Sequence, residues 1–261
     1  MNGEIRVIMD QWGLREPRII YKREQSAVWS GESDRFGPVI LKWNSTGQLA
    51  SEYRTLRNLQ GRSCCRVFAY DEPRGLLLEE CILPGTVLRQ EPSPEKRIEA
   101  LTKVFREIHV PCQEGETYLD WLDKACAFCE SHGMPGNLLQ MAKRARNHCA
   151  ELFSAYPERV LLHGDLHHDN LLLRGDGSYA VIDPKGVVGP EILDLPRFLL
   201  NEADMSDDPA HMERIVSMVS HACGYPEEDL RKALFLEAVL ANVWCVEDGV
   251  PVPERWKNMT E

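Results

Sequence analysis

A polar segment between apolar runs constrains this chain more than any other feature. The segment is His163-Gly164-Asp165-Leu166-His167-His168-Asp169-Asn170, and it lies between the runs Val160–Leu162 and Leu171–Leu173. Asp183 follows Asn170 by thirteen positions, at the end of a further apolar run. Short apolar runs separated by polar turns are typical of strands. The spacing predicts a polar hairpin beside a dense group of carboxylate, amide and imidazole side chains.

The groups in this segment suit phosphoryl transfer. That reaction needs one carboxylate beside the acceptor hydroxyl and a separate set of oxygen ligands for magnesium. Asp165 would orient the hydroxyl and accept its proton, whereas Asn170 and Asp183 would hold the Mg²⁺ that bridges the phosphates. The pattern predicts a kinase that uses ATP or GTP, and it does not distinguish these two donors.

Two other interpretations of the segment remain open. The aspartates could cap turns while the histidines fill polar pockets. Alternatively, His163, Asp165, His167 and His168 could form a metallo-hydrolase cluster, because histidine and carboxylate alternate in HxHxDH sites. The order disagrees with that pattern, since Asp165 stands where the second histidine belongs.

Residues further upstream could complete a nucleotide site. Kinase chemistry places a cation on the α and β phosphates and holds that cation with a carboxylate from a helix. Lys42 ends the apolar run Val39–Leu41, and Glu52 lies ten positions later inside the predicted helix Gly47–Gln60. Taken alone, each of these two side chains would equally suit an ordinary surface position. Ser26 and neighbouring backbone amides could donate hydrogen bonds to phosphate.

The first third of the chain favours strands, and the remainder favours helices. The predicted strands are Ile19–Lys22, Ala27–Ser30, Val39–Trp43, Arg66–Tyr70 and Leu76–Ile82. From Ser93 onward helical spacing dominates, with Ser93 as a cap and Pro94 as the first helical residue. We therefore predict an α+β fold, with a small antiparallel-sheet N-lobe at residues 1–83 and a larger, mainly helical C-lobe at residues 84–261.

The charge of the chain excludes some classes of function. The net charge is −11, and residues 191–261 contain fifteen acidic and six basic residues. Nucleic-acid-binding proteins need a basic footprint, which this chain lacks. The sequence has no apolar stretch long enough for a membrane span. Because the first residues include acidic side chains and no apolar run before a cleavage-like site, we expect no secretory signal. We expect a cytoplasmic protein that binds neither nucleic acid nor membrane.

The nine cysteines favour reduced thiols, because their number is odd and they are scattered along the chain. Cys126 and Cys129 have CxxC spacing, and they could form a zinc site with His132 and the pair His148-Cys149. The same cysteines would also fit the buried face of a helix beside Leu122.

The motifs HGDLHHDN and VIDPKG resemble the aminoglycoside phosphotransferase family, a branch of the protein-kinase-like fold. The stretches DPKGVVGPE, at residues 183–191, and DLPRF, at residues 194–198, are most similar to the streptomycin and hydroxyurea kinase branch. Asp165 and Asn170 match the family pattern Asp-x4-Asn, and the interval to Asp183 also matches. The resemblance implies a two-lobed, magnesium-dependent kinase.

This resemblance assigns roles to residues of the N-lobe. Lys42 and Glu52 match the lysine–glutamate pair of the family. The segment Glu79-Glu80-Cys81-Ile82 resembles the interlobe hinge, which would receive the nucleotide base through backbone groups of Glu80 and Ile82. The phosphate-covering loop around Ser26 departs from the glycine-rich pattern, because residues 25–31 offer only one glycine.

The resemblance also concerns the C-lobe and the acceptor. His163 matches a structural position, and Asp194 matches a residue that braces the catalytic loop, although a substrate contact remains possible for Asp194. The implied acceptor is a hydroxyl of a streptomycin-type aminoglycoside, and the acidic residues 191–261 favour a small cationic compound. A kinase for another amino alcohol or sugar amine, or a catalytically silent nucleotide-binding module, remains an alternative.

Overall fold

Five antiparallel strands form the largest sheet of the computed structural model, which describes residues 3–132, 134, 136–208 and 210–253. These strands are β1 Leu14–Lys22, β2 Ser26–Ser33, β3 Gly37–Asn44, β4 Val67–Asp71 and β5 Leu76–Glu80, in the spatial order β1-β2-β3-β5-β4. Each contains one of the five predicted strands or most of it, so these predictions are confirmed. In β3, Val39 and Leu41 are buried in the apolar cluster. Alternation along the strand places Lys42 on the opposite face.

Eight α-helices lie in the described residues: α1 Gly3–Gln11, α2 Leu49–Asn58, α3 Pro94–Ile108, α4 Tyr118–Ser131, α5 Gly136–Ala155, α6 Leu195–Glu202, α7 His211–Cys223 and α8 Glu227–Glu247. The predicted start of α3 is confirmed, because Ser93 Oγ accepts a hydrogen bond from Lys96 N–H and Pro94 is the first helical residue. None of the described helices combines the length and apolar character that crossing a membrane requires.

Six shorter strands form two further antiparallel sheets: β6 Pro84–Val87, β7 Val110–Pro111, β8 Val160–Leu162, β9 Leu171–Arg174, β10 Tyr179–Val181 and β11 Val187–Gly189. Their spatial orders are β10-β9-β6 and β11-β8-β7. The predicted polar hairpin is β9–β10, in which Leu173 pairs with Tyr179.

The chain packs into two compact units. An N-terminal unit contains Met1–Gln90 and Asp169–Gly186, and a helical unit contains Glu91–His168 and Val187–Glu261. The segment 169–186 joins the N-terminal unit because β9 pairs with β6. The two units therefore do not correspond to one division of the chain between residues 83 and 84. The assignment of nucleotide binding to residues 1–83 and of the catalytic loop, metal site and acceptor site to residues 84–261 stays a prediction.

The nine cysteines are free thiols. Cys129 is buried on α4, as are Leu122 and Ala125, which agrees with the interpretation of these cysteines as core residues. Across the described residues, the one group of His, Cys, Asp and Glu side chains close enough to share a metal includes neither Cys126 nor Cys129.

Candidate active site

Lys42 lies among three carboxylates on one face of the five-stranded sheet. Its Nζ is 2.5 Å from Glu52 Oε1 and 2.7 Å from Glu79 Oε1, and it also donates a hydrogen bond to Asp183. The sheet register explains the position of Glu79, because Glu79 pairs with Ile40, which shares a face with Lys42. The Lys42, Glu52 and Glu79 side chains are at most 12% exposed, so water screens these ion pairs only weakly.

The charges in this cluster do not balance. Burial by itself would lower the pKa of Lys42, but Glu52, Glu79 and Asp183 outweigh burial and raise the pKa well above its ordinary value. Burial raises the pKa of Glu79 to about 8, with Lys42 opposing the rise and the other two carboxylates adding to it. Lys42 therefore stays charged at neutral pH. The raised pKa of Glu79 keeps much of this carboxyl group protonated near neutral pH, which relieves the repulsion among the three acids.

Helix α2 is packed closely against the loop that follows β10. Ser51 Oγ donates a hydrogen bond to the Lys185 carbonyl at 2.6 Å. Gly186 has φ 73°, and a Cβ at this position would collide with Thr55 Oγ1 of the same helix. Only glycine permits this approach without strain. The approach sets the position of Glu52, which lies on α2 between these contacts.

The β9–β10 hairpin explains the interval between Asn170 and Asp183. Its paired strands bring Ile182 beside Asn170, and the Ile182 N–H donates a hydrogen bond to the Asn170 carbonyl at 3.1 Å. Asp169 accepts hydrogen bonds from Arg89 Nε at 2.8 Å and Nη2 at 2.7 Å, which fixes the start of the hairpin. Asn170 and Asp183 therefore lie at the same end of the hairpin.

The carboxylates near Asp183 are of the type that the predicted magnesium ion prefers. Carboxylate oxygens of Glu52, Glu79 and Asp183 lie within 4.8 Å of one another, around the Lys42 ammonium group that contacts all three. The backbone of Asn170 lies at the same end of the hairpin as Asp183. Mg²⁺ prefers carboxylate and amide oxygens. The Asp183 side chain is 47% exposed, so it is the most accessible of the three carboxylates. Metal binding by Asn170 and Asp183 stays a prediction.

Ser26 begins β2 on the face of the sheet that carries Lys42. Val28 pairs directly with Lys42, and Ser26 lies two residues before Val28 in a register without irregularity. Residues two apart in a strand point to the same side. This placement suits the predicted contact between Ser26 and phosphate, which stays a prediction.

The two predicted hinge residues have different surroundings, because Glu80 forms hydrogen bonds with arginines and Ile82 is buried. The Glu80 carboxylate accepts hydrogen bonds from Arg174 at 2.6 and 3.0 Å, and its backbone N–H donates to the Arg66 carbonyl at 2.8 Å. Burial by itself would raise the pKa of Glu80, but the contacts with Arg174 and Arg66 outweigh burial and lower the pKa. Ile82 is buried. Binding of the nucleotide base at Glu80 and Ile82 stays a prediction.

Asp194 bonds to the backbone of the segment that carries Asp165. Its carboxylate accepts hydrogen bonds from the N–H groups of His163 at 2.8 Å and Gly164 at 2.7 Å. His109 Nε2 lies 2.9 Å from the same carboxylate, and both Asp194 and His163 are fully buried. These are the contacts that a bracing role requires, and a buried carboxylate leaves little room for substrate.

Asp165 is held by an arginine of α6. Arg197 Nε is 2.9 Å from Asp165 Oδ1 and 3.1 Å from Glu237 Oε1. Glu237 is 2% exposed and accepts a hydrogen bond from the Tyr118 hydroxyl. Burial raises the pKa of Glu237 although Arg197 opposes the rise. The Arg197 guanidinium therefore links Asp165, the predicted base, to the buried Glu237 of α8 and fixes the orientation of the Asp165 carboxylate.

The model of the aminoglycoside/hydroxyurea antibiotic resistance kinase family matches residues 11–249. This chain belongs to that family. It is 27% identical over 225 residues to streptomycin 3''-kinase of Klebsiella pneumoniae, with 81% of each chain covered. It is 29% identical over 275 aligned positions to hydroxyurea phosphotransferase of Kitasatospora aureofaciens, covering 97% of this chain and 76% of that protein.

Solved structures confirm the fold of this kinase family member. A thermostable mutant of aminoglycoside phosphotransferase APH(4)-Ia, in ternary complex with ADP and hygromycin B, matches with a TM-score of 0.65 and 17% identity. The match covers 94% of this chain and 91% of that one. The predicted family, the two-lobed protein-kinase-like fold and the class of enzyme, a phosphotransferase with an alcohol group as acceptor, are thereby confirmed.

Sequence reasoning missed three charged residues that contact predicted site residues of this family member. Glu79 was assigned only to the hinge segment, and its place beside Lys42 depends on the β3–β5 register. Arg197 was noted only as part of a motif, and Glu237 was not noted. A signal for Glu237 was available, because a lone carboxylate within the apolar helical stretch between Leu236 and Ala238 needs a buried partner.

A second buried ion cluster supports the end of the segment that carries Asp165. Glu202 is completely buried and accepts hydrogen bonds from Arg97 Nε and Nη2, both at 2.7 Å. His168 Nε2 is 2.8 Å from the same carboxylate, and its ring stacks on Phe198 at 4.1 Å. Burial would raise the pKa of Glu202, but Arg97 and His168 outweigh it and lower the pKa to about 2. His168 is therefore a packing residue of the loop.

We expect Glu202 to stabilise the fold in a pH-dependent way. The pKa of Glu202 in the folded state lies below the ordinary 4.5. Its contribution to the free energy of unfolding is therefore complete above pH ~4.5, and about 3 kcal/mol of it is lost as the pH falls toward ~2. Glu202→Gln should lower the free energy of unfolding at pH 7 by about 3–5 kcal/mol and flatten its acid dependence. Urea titrations at several pH values measure both. Glu213→Gln, in an exposed pair, is the control, and equal acid dependence in wild type and Glu202→Gln would contradict this assignment.

Proposed function

We propose that this protein transfers the terminal phosphate of ATP or GTP to a hydroxyl of a cationic, streptomycin-type aminoglycoside. The observation that carries this proposal is the buried contact of Lys42 with Glu52 beside Asp183. A lysine held in this way stays charged and fixed, as phosphate binding requires. A nucleotide-binding module without catalysis would have no need for Asp165 and its ordered contact with Arg197.

Each residue has a defined task in the proposed reaction. Lys42 binds the α and β phosphates, and Glu52 holds its ammonium group in place. Asp165 orients the acceptor hydroxyl and takes its proton as the oxygen bonds to the terminal phosphorus, and the nucleoside diphosphate leaves. Asn170 and Asp183 would hold Mg²⁺, which would neutralise charge on the phosphates. Asp194 supports this arrangement through the backbone of His163 and Gly164.

Two acceptor classes have support from the relatives. One relative is named for streptomycin and the other for hydroxyurea, which is small and uncharged. The net charge of −11, with its acidic excess in residues 191–261, favours the cation, because an acidic surface raises the local concentration of cations. We therefore propose the aminoglycoside class, with hydroxyurea as the second candidate.

We expect kcat/KM for streptomycin to exceed that for hydroxyurea and to fall about tenfold between low and high ionic strength, because salt screens the steering of a cation. The value for hydroxyurea should change little. Steady-state kinetics of both acceptors at matched magnesium and nucleotide concentrations measure this. A preference for hydroxyurea, or a streptomycin rate that is independent of salt, would contradict a cationic acceptor.

A further inference from the structure

An aromatic cavity of about 250 Å³ lies within the helical unit, along α4 and α8. Trp121 and Phe128 of α4 and Trp244 of α8 contribute its aromatic walls, and the carboxylates of Glu116 and Glu247 also line it. The two indole rings meet edge to face, with centroids 5.6 Å apart at 77°. The cavity is therefore a small aromatic space with acidic groups beside it.

The charges beside the cavity are not balanced. Glu116 forms an ion pair with Lys124, which also lines the cavity. Within the part of the chain that the structure describes, Glu247 has no ion-pair partner, and it lies exposed at the end of α8. An aromatic ring attracts a cation over its face, and a nearby carboxylate adds to that attraction. The lining is thus suited to an organic cation rather than to a neutral or anionic group.

Trp244 connects this cavity to the predicted base. The guanidinium carbon of Arg197 lies 5.7 Å from the centroid of the Trp244 ring, so this indole already packs against one guanidinium. Arg197 Nε is in turn 2.9 Å from Asp165 Oδ1. Trp244 therefore contacts both the cavity and the arginine that holds Asp165.

We propose that this cavity binds a guanidinium or ammonium group of the acceptor, with Trp121, Trp244 and Glu247 as the residues that determine specificity. The proposal rests on the proposed function, since it assigns a subsite to the acceptor of that reaction. A planar guanidinium can both stack on an aromatic ring and carry charge, as Arg197 does on Trp244. The cavity is too small for a whole aminoglycoside, so it holds one charged group while the rest of the molecule lies outside it.

Trp121→Leu and Glu247→Gln test the subsite separately, with Glu228→Gln as the matched control. Glu228 is an exposed glutamate in the first turn of the same helix, about 28 Å from Glu247 along its axis. Calorimetric titration of the full chain with streptomycin, without nucleotide, should show Kd raised about 5- to 10-fold in each test variant. The control should bind as the wild type does. The KM for streptomycin should rise in the same two variants.

The possible outcomes separate the subsite from the reaction. Unchanged Kd in both test variants, with streptomycin still phosphorylated by the wild type, would overturn the subsite and leave the proposed function standing. Phosphorylation of hydroxyurea without any binding of streptomycin would also overturn the subsite. Weakened binding in both variants, together with no phosphate transfer by the wild type to any hydroxylated acceptor, would support a cation site and overturn the proposed function.

Discussion

Asp183→Asn should lower kcat by about 10³-fold, because a metal ligand contributes several kcal/mol to the stability of a phosphoryl-transfer transition state. Asn is the suitable replacement, since Asp183 has φ 59° and asparagine tolerates this left-handed conformation better than alanine does. The change removes a charge from a half-exposed side chain and should leave the fold intact. The measurement is kcat across a magnesium titration, with circular dichroism to check folding.

A second aspartate in the same hairpin provides the control for this variant. Asp176 lies exposed in the β9–β10 turn and accepts hydrogen bonds only from Ser178 among the contacts described. Asp176→Asn should therefore keep the rate and the magnesium dependence of the wild type. Undiminished turnover in Asp183→Asn would remove Asp183 from the proposed metal site.

Asp165→Asn should lower kcat by about 10²–10⁴-fold through loss of the general base. The amide oxygen of asparagine can still accept the hydrogen bond from Arg197 Nε, so the local structure should persist. Because Lys42, Glu52 and Asp183 are unchanged, the KM for the nucleotide should stay near its wild-type value. Steady-state kinetics with each substrate varied in turn separate these effects.

Asp207→Asn is a control for Asp165→Asn, because Asp207 is an exposed aspartate of the same unit. It should leave both kinetic constants unchanged. A wild-type rate in Asp165→Asn would show that another group accepts the hydroxyl proton. A large rise in the KM for the nucleotide alone would place Asp165 with the donor rather than with the acceptor.

Local patterns were enough to predict much of this fold. Short β-prone runs bounded by turn residues located all five strands of the large sheet, and the Ser93-Pro94 pair located the start of α3. Such patterns could not predict that residues 169–186 belong to the N-terminal unit. This membership depends on pairing between β6 and β9, which are more than eighty residues apart in the chain, and no local propensity specifies that partner.

The same limit applies to the candidate site. The spacing of Asn170 and Asp183 could be recognised in the sequence because the β9–β10 hairpin fixes it, and Asp165 could be recognised because it lies five residues before Asn170. The carboxylate of Glu79 reaches Lys42 only through strand register, and Glu237 reaches Arg197 only when α8 packs beside α6. These contacts join segments that are distant in the chain, so the roles of Glu79 and Glu237 can be recognised only from the folded structure.

The most direct test of the proposed reaction is mass spectrometry of streptomycin after incubation with the protein, Mg²⁺ and ATP labelled with ¹⁸O in its terminal phosphate. The proposed function requires streptomycin to gain one phosphoryl group that carries the label, and removal of magnesium with EDTA to abolish the product. Unmodified streptomycin, with the labelled phosphate released to water at the same rate whether or not streptomycin is present, would contradict it.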